Sequence, residues 1–240
     1  MDNFPSCLQP FGSLSESARN LAVEAAIIQG ELSPHLLTFL PVKIRHGSLT
    51  ATIYVSPDYI GVMGSDGHFR TPLPAVSLQR IADHFGASLP TARMVDGIYH
   101  SDGAVRISFN GYSPTRGESR DSTRLWIASN VSIEKKLAGR TGLVAGHKKD
   151  VVVGPTQVAR PDKVAIFGAW GSDGKIIQGL NVKDHYLGYS DYSQCGRLIY
   201  PVVTIDGSDW DMADVFRHPT YRELLTGEGP MPNMPRYKTA

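Results

Sequence analysis

Leu143-Val144-Ala145-Gly146-His147-Lys148-Lys149-Asp150-Val151-Val152-Val153 marks a change in the character of the chain. Two apolar triplets flank a polar insert that follows a glycine, and from Leu143 onward the pattern is strongly β. Val164-Ala165-Ile166-Phe167 and Ile176-Ile177 are further short apolar runs. Gly171-Ser172-Asp173-Gly174 has the turn chemistry of a hairpin between them. Leu198 to Ile205 reads as another strand, in which Pro201 predicts an edge position or a bulge. Ser208 is expected to cap a short helix through Trp210, Met212, Ala213, Val215 and Phe216, and Thr220 a second one ending at Gly227. The tail from Glu228, with three prolines, is expected to be extended or disordered.

Upstream, helices and hairpins come first. Residues 13–30 predict a helix with a capping box at Ser13 and Glu16 and an apolar face of Leu14, Ala18, Leu21, Ala25 and Ile28. Leu49 to Val55 alternates as a strand, Pro57-Asp58 turns the chain, and Tyr59 to Met63 gives a second short strand. Pro74 opens a helix burying Leu78, Ile81, Ala82 and Phe85. Leu89-Pro90-Thr91 opens another with Met94, Val95, Ile98 and Tyr99 on one side. Ala104 to Asn110 predicts a strand, and residues 111–123 a long polar loop. The order predicts an α+β fold: N-terminal helices and hairpins, then a mixed, mainly antiparallel sheet-rich half. The expectation is one domain, with lobes at 1–115 and 140–230 as a possible division.

The 240 residues are 41% hydrophobic and 20% charged, an ordinary globular balance. With 24 Lys+Arg against 23 Asp+Glu the net charge is +1, without the basic excess that nucleic-acid binding uses. The start Met1-Asp2-Asn3-Phe4-Pro5 is not that of a signal peptide, and no apolar run is long enough to cross a bilayer. The expected setting is cytoplasmic, with a small-molecule or peptide-like substrate, no nucleic acid and no membrane. Two cysteines, Cys7 and Cys195, are too few for a disulfide framework, so a free Cys195 is expected.

Chemistry concentrates in two polar segments. In the first, His147 and Asp150 flank two lysines, an arrangement in which a carboxylate orients an imidazole as general base. The second is Asp184-His185-Tyr186-Leu187-Gly188-Tyr189-Ser190-Asp191-Tyr192-Ser193-Gln194-Cys195-Gly196-Arg197. A thiol beside Gly and Arg, with histidines at hand, predicts nucleophilic attack on an amide, ester or peptide-like carbonyl. Cys195 would attack, His147 or His185 would move the proton, Asp150 or Asp191 would orient it, and Arg197 would hold the developing charge. Tyr189, Tyr192, Ser193 and Lys149 are the candidate substrate-binding residues. Two alternatives stand beside this. One is acid–base work by His147 and Asp191 without a thiol nucleophile, as in a lyase, isomerase or cyclase. The other is a non-catalytic module that binds sugar or peptide on Tyr186, Tyr189 and Tyr192. His147, Asp150, His185 and Asp191 also have the donor atoms of a zinc site, but no tight two-His helical motif is present, and no metal or cofactor is expected. All of these readings require the two segments to meet in a shared cavity.

The chain resembles a family of largely uncharacterised, mainly bacterial proteins over about Tyr54 to Pro230. The resemblance rests on Pro57-Asp58-Tyr59-Ile60-Gly61, Gly64-Ser65-Asp66, Leu89-Pro90-Thr91, Met94-Val95-Asp96, Ile98-Tyr99 and Gly146-His147-Lys148-Lys149-Asp150-Val151-Val152. It continues through Tyr189-Ser190-Asp191-Tyr192-Ser193, Arg197-Leu198-Ile199 and Gly227-Glu228-Gly229-Pro230. The family pattern has a His where this chain has Gln194 and a Gly where it has Cys195. The resemblance implies no particular activity. A weaker local likeness to the L,D-transpeptidases rests on Ser193, Cys195, Arg197 and the upstream His185, with one residue fewer between Ser and Cys and Gln194 in place of His. It implies acyl transfer through a thiol, by analogy.

Overall fold

Helix α1 (Glu16–Ala26) starts one turn later than its apolar spacing suggests, because Ser15, not Ser13, accepts the amide of Ala18. The structure, a computed structural model, describes residues 6–65 and 67–239. The face that α1 buries also differs from the expected one. Leu14 and Leu21 are exposed, whereas Arg19, Asn20, Val23 and Glu24 are buried. The polar members of that face have distant partners: Arg19 pairs with Asp121 at 2.9 Å, Asn20 donates to Asp121 and Ser190, and Glu24 accepts from Arg80. Partners that far along the chain override a local apolar pattern.

The first hairpin joins β1 (Leu40–His46) to β2 (Leu49–Val55), and a second joins β3 (Gly61–Gly64) to β4 (Gly67–Arg70). Helix α2 (Ala75–His84) follows Pro74. Helix α3 (Ala92–His100) is capped by the Thr91 hydroxyl and buries Met94, Val95, Ile98 and Tyr99 as expected. Strand β5 is only Ala104–Arg106, shorter than expected, and pairs in parallel with β6 (Leu143–Ala145). Between them, α4 (Thr123–Leu137) starts where Ser122 caps the amide of Leu125 and ends at Ala138 in the left-handed region. That helix lies outside the sequence expectations.

The C-terminal half contains β7 (Lys149–Val152), α5 (Pro155–Val158), β8 (Ala165–Trp170), β9 (Ile176–Asn181), β10 (Gln194–Cys195), β11 (Ile199–Ile205) and β12 (Ser208–Asp211). It closes with α6 (Met212–Arg217) and α7 (Arg222–Leu225). One sheet has the order β1-β2-β11-β12 and another the order β10-β7-β8-β9. The β8–β9 hairpin forms where the glycine-rich turn predicts it. Pro201 lies at a bulge between Tyr200 and Val203, not at an edge, since β11 runs between β2 and β12. Residues 208–211 form a strand instead of helix. Asp206 and Gly207 both have positive φ and fold the chain back as a two-residue hairpin, and Asp211 then caps α6 through the amide of Ala213. The proline-containing tail is packed: Tyr237 is fully buried, donating to the Val152 carbonyl at 2.7 Å and accepting the Ala165 amide at 2.9 Å.

The fold is α+β, with mainly antiparallel sheets. The run Val151-Val152-Val153 has a structural explanation: Val152 belongs to an apolar cluster with the β1–β2–β11 sheet, and Val151 and Val153 to another with α1, α2 and β8. A strand buried on both faces is a continuous apolar run, not an alternating one. Among the described residues, no helix is long and apolar enough to cross a membrane.

Candidate functional site

The two polar segments are brought together by the shortest strand. β10 pairs in parallel with β7, setting Gln194 against Lys149 and Cys195 against Asp150, and the Lys149 amide donates to the Ser193 carbonyl at 2.8 Å. Gly146 lets the chain leading into β7 pack closely against α3 and residue 107. Its φ is +97°, and a Cβ there would lie 2.8 Å from the Tyr99 ring and 2.9 Å from the Ile107 carbonyl oxygen. The segments meet in close packing, with side chains divided between an inner layer and an outer face.

The inner layer is charged and buried. Arg70 forms a double-pronged pair with Asp58 and reaches Glu134 at 2.6 Å. His147 points toward this pair, with Nε2 3.4 Å from Asp58 Oδ1 but out of line for a hydrogen bond, so neither ring nitrogen has a hydrogen-bond partner. Burial pushes its imidazole down to about 4, against a smaller opposing effect of Asp58. The Tyr59 ring stands edge-on to His147 and under the Arg197 guanidinium, 4.5 Å from the ring centre. Its hydroxyl donates to Asp150 Oδ2 at 2.6 Å. Burial lifts the Asp150 carboxyl to about 7, although Arg197 lies 3.9 Å away. Arg197 spends its outer nitrogens on the Ser56 and Val144 carbonyls. Lys148 donates to Ser129 Oγ at 2.9 Å and to the Tyr192 carbonyl, and burial lowers it to about 8.

Cys195 belongs to this inner layer. It is fully buried, its thiol faces the carbonyls of Ile60 and Thr71, and burial pushes it up to about 12. A nucleophilic cysteine sits in a partly exposed, electropositive place that favours the thiolate. Burial among main-chain carbonyls disfavours the thiolate here, against a smaller opposing effect of Lys148. The partners expected for it are engaged elsewhere: His147 faces Asp58 and Tyr59, and Arg197 holds main-chain carbonyls.

The outer face is built by the turn from His185 to Gln194. The His185 ring stacks on Tyr189 with centroids 3.9 Å apart and planes within 4°. The Tyr189 hydroxyl donates to Asp191 Oδ2 at 2.9 Å. The amide and hydroxyl of Ser193 both donate to Asp191 Oδ1, the amide at 2.6 Å. The Gln194 side-chain amide donates to the Tyr189 carbonyl at 2.8 Å and ties the turn to β10. Tyr186 stands edge-on to Tyr189 and is 63% exposed. His185, Tyr189 and Lys149 are half-buried. Burial lowers the His185 imidazole, the charge on Asp191 opposing this, and burial and Asp191 together raise the Tyr189 phenol.

Of the candidate binding residues, Tyr189 and Lys149 lie at the surface. Tyr192 and Ser193 do not: Tyr192 is buried, with its hydroxyl donating to the Tyr112 carbonyl, and the Ser193 hydroxyl is committed to Asp191. Among the described residues no three His, Cys, Asp or Glu side chains cluster as a metal site, so His147, Asp150, His185 and Asp191 do not converge on one. A hollow of about 910 Å³ beside α3 and another of about 440 Å³ along β9 include none of the expected catalytic residues. Sequence reasoning missed Arg70 and Ser129 in the inner layer and Glu134 at its exposed margin. It read Pro57-Asp58 only as a turn and Tyr59 only as the start of a strand, whereas the side chains of Asp58 and Tyr59 stand in the inner layer. No family model, curated protein or solved structure matches this chain.

Proposed function

We propose that this protein binds a carbohydrate through the aromatic face formed by His185, Tyr186 and Tyr189. The observation that carries the reading is the His185–Tyr189 stack, fixed from below by the Tyr189–Asp191 hydrogen bond beside the exposed ring of Tyr186. Rings held rigid before binding offer apolar area at little entropic cost, and the polar tips of Tyr and His serve hydroxyl groups. Lys149 and Asp184 add charged hydrogen-bonding groups at the margin. Two buried charges behind the face bond the turn: Lys148 donates to the Tyr192 carbonyl, and Asp121 accepts from the Ser190 hydroxyl.

Acid–base catalysis on the bound ligand is the second reading, with His185 as the base. It is favoured by the partial exposure of that imidazole and by the Asp191 charge behind its stacking partner. It replaces the version using His147 and Asp191, which are both buried and face different neighbours. Acyl transfer through Cys195 ranks below both because no approach to its buried thiol is seen.

The test is titration with chitotriose and, in parallel, with tri-alanine, followed by chemical shifts of the tyrosine rings. Saturable chitotriose binding that weakens about tenfold or more in Tyr186→Ala, a loss of about 1.4 kcal/mol, supports the reading. Preference for tri-alanine, or binding indifferent to Tyr186→Ala, overturns it.

A further inference from the structure

The hollow of about 910 Å³ beside α3 lies apart from the aromatic face and shares no lining residue with it. Its size is that of sites for small molecules, which run to roughly 300–1,000 Å³. Lys43 and Arg45 project from β1, and Arg93 from the first turn of α3. Lys43 and Arg45 have no ion-pair or hydrogen-bond partner for their side chains among the described residues. Arg93 spends one nitrogen on His46 Nδ1 at 2.9 Å, so its contact is with an imidazole and not with a carboxylate. Three acids also line the hollow. Asp96 stands 3.4 Å from His100, Glu228 is turned to the amide of Thr156 at 3.0 Å, and Asp102 has no such contact. The three strong cations are left without carboxylate partners, beside Phe167, which supplies apolar surface.

We infer that this hollow is a binding site for a small phosphorylated molecule. Its phosphoryl group would meet Arg93, Lys43 and Arg45, and its less polar body would lie along Phe167. Arginine offers forked donors that match phosphate geometry, and the start of α3 adds the positive end of a helix dipole. The position of the Arg93 fork is set by a glycine. A Cβ at Gly227 would lie 2.7 Å from Arg93 Nη2, so the guanidinium packs directly over the bare backbone there.

Calorimetric titration of the full chain at low salt with pyrophosphate, and separately with citrate, tests the assignment. The expected result is saturable pyrophosphate binding that weakens at least about tenfold in Arg93→Gln and in Lys43→Gln, and falls as salt rises. Gly227→Ala keeps every charge yet displaces the Arg93 fork, and is expected to weaken binding as well. Tyr186→Ala is expected to leave it unchanged, which separates this site from the aromatic face. Absence of saturable pyrophosphate binding, a preference for citrate, or equal affinity in wild type and both charge variants overturns the inference. The exposed Lys43→Gln keeps the test intact if Arg93→Gln fails to fold.

Discussion

His147 carries the clearest consequence at the residue scale. Its buried imidazole sits at about 4, against an ordinary 6.5, because burial disfavours the charged ring. Between those values the unfolded chain binds a proton that the folded chain does not, so stability falls as pH drops through that window. His68, held down to about 3 by burial, acts in the same direction. Asp150, lifted from 3.8 to about 7, acts against them: the folded chain keeps a proton there that the unfolded chain has released, so stability falls as pH rises. Replacing His147 by Asn is expected to flatten the acid side of the stability curve by up to one proton's slope, worth a few kcal/mol over the window. Urea denaturation from pH 4 to 7 measures it, and an unchanged slope in the variant would show that His147 is not buried neutral. The chemical identity of these residues was legible in the sequence, but their direction was not. Cys195 next to Gly196 and Arg197 has the composition of a reactive thiol, and only its neighbours Ile60 and Thr71, far upstream, close it off.

At the element scale, the link from β6 to β7 packs closely against α3 at Gly146. Alanine there must adopt a left-handed φ and push against the Tyr99 ring and the Ile107 carbonyl. Gly146→Ala is expected to cost about 2–4 kcal/mol, combining backbone strain with overpacking. Equilibrium denaturation reads it, and a cost below about 0.5 kcal/mol would refute the close packing at that point. Elements with self-contained signals were legible. α3 has its cap at Thr91 and its buried face at 94, 95, 98 and 99, and the β8–β9 hairpin has its glycine-rich turn. Elements decided by partners were not. The buried face of α1 depends on Asp121 and Arg80, and β12 replaces a helix because the turn at Asp206-Gly207 offers β11 a neighbour. The two-residue β10 has no periodicity to read, yet its pairing unites the polar segments.

At the scale of the whole molecule, the C-terminal tail locks onto the sheet that holds β7 and β8. Tyr237, near the C-terminus, bonds the main chain of both β7 and β8, and its amide donates to Gln79 on α2. Tyr237→Phe leaves the Ala165 amide and the Val152 carbonyl without this partner. It is expected to cost about 1–3 kcal/mol, with an unchanged dependence on denaturant. A variant as stable as the wild type would show that the tail does not contribute to the core. The α+β class was legible from the order of helices and strands. Which side of the paired segments faces solvent was not, since His147 and His185 look alike as sequence.

The buried charged layer and the open aromatic face differ in their access to reagents, and chemical modification of the native protein reads that difference. Diethyl pyrocarbonate and iodoacetamide, read by peptide mass spectrometry, should label His185 while sparing His147 and Cys195 until denaturant is added. Labelling of His147 or Cys195 in the native state as fast as His185 would contradict it.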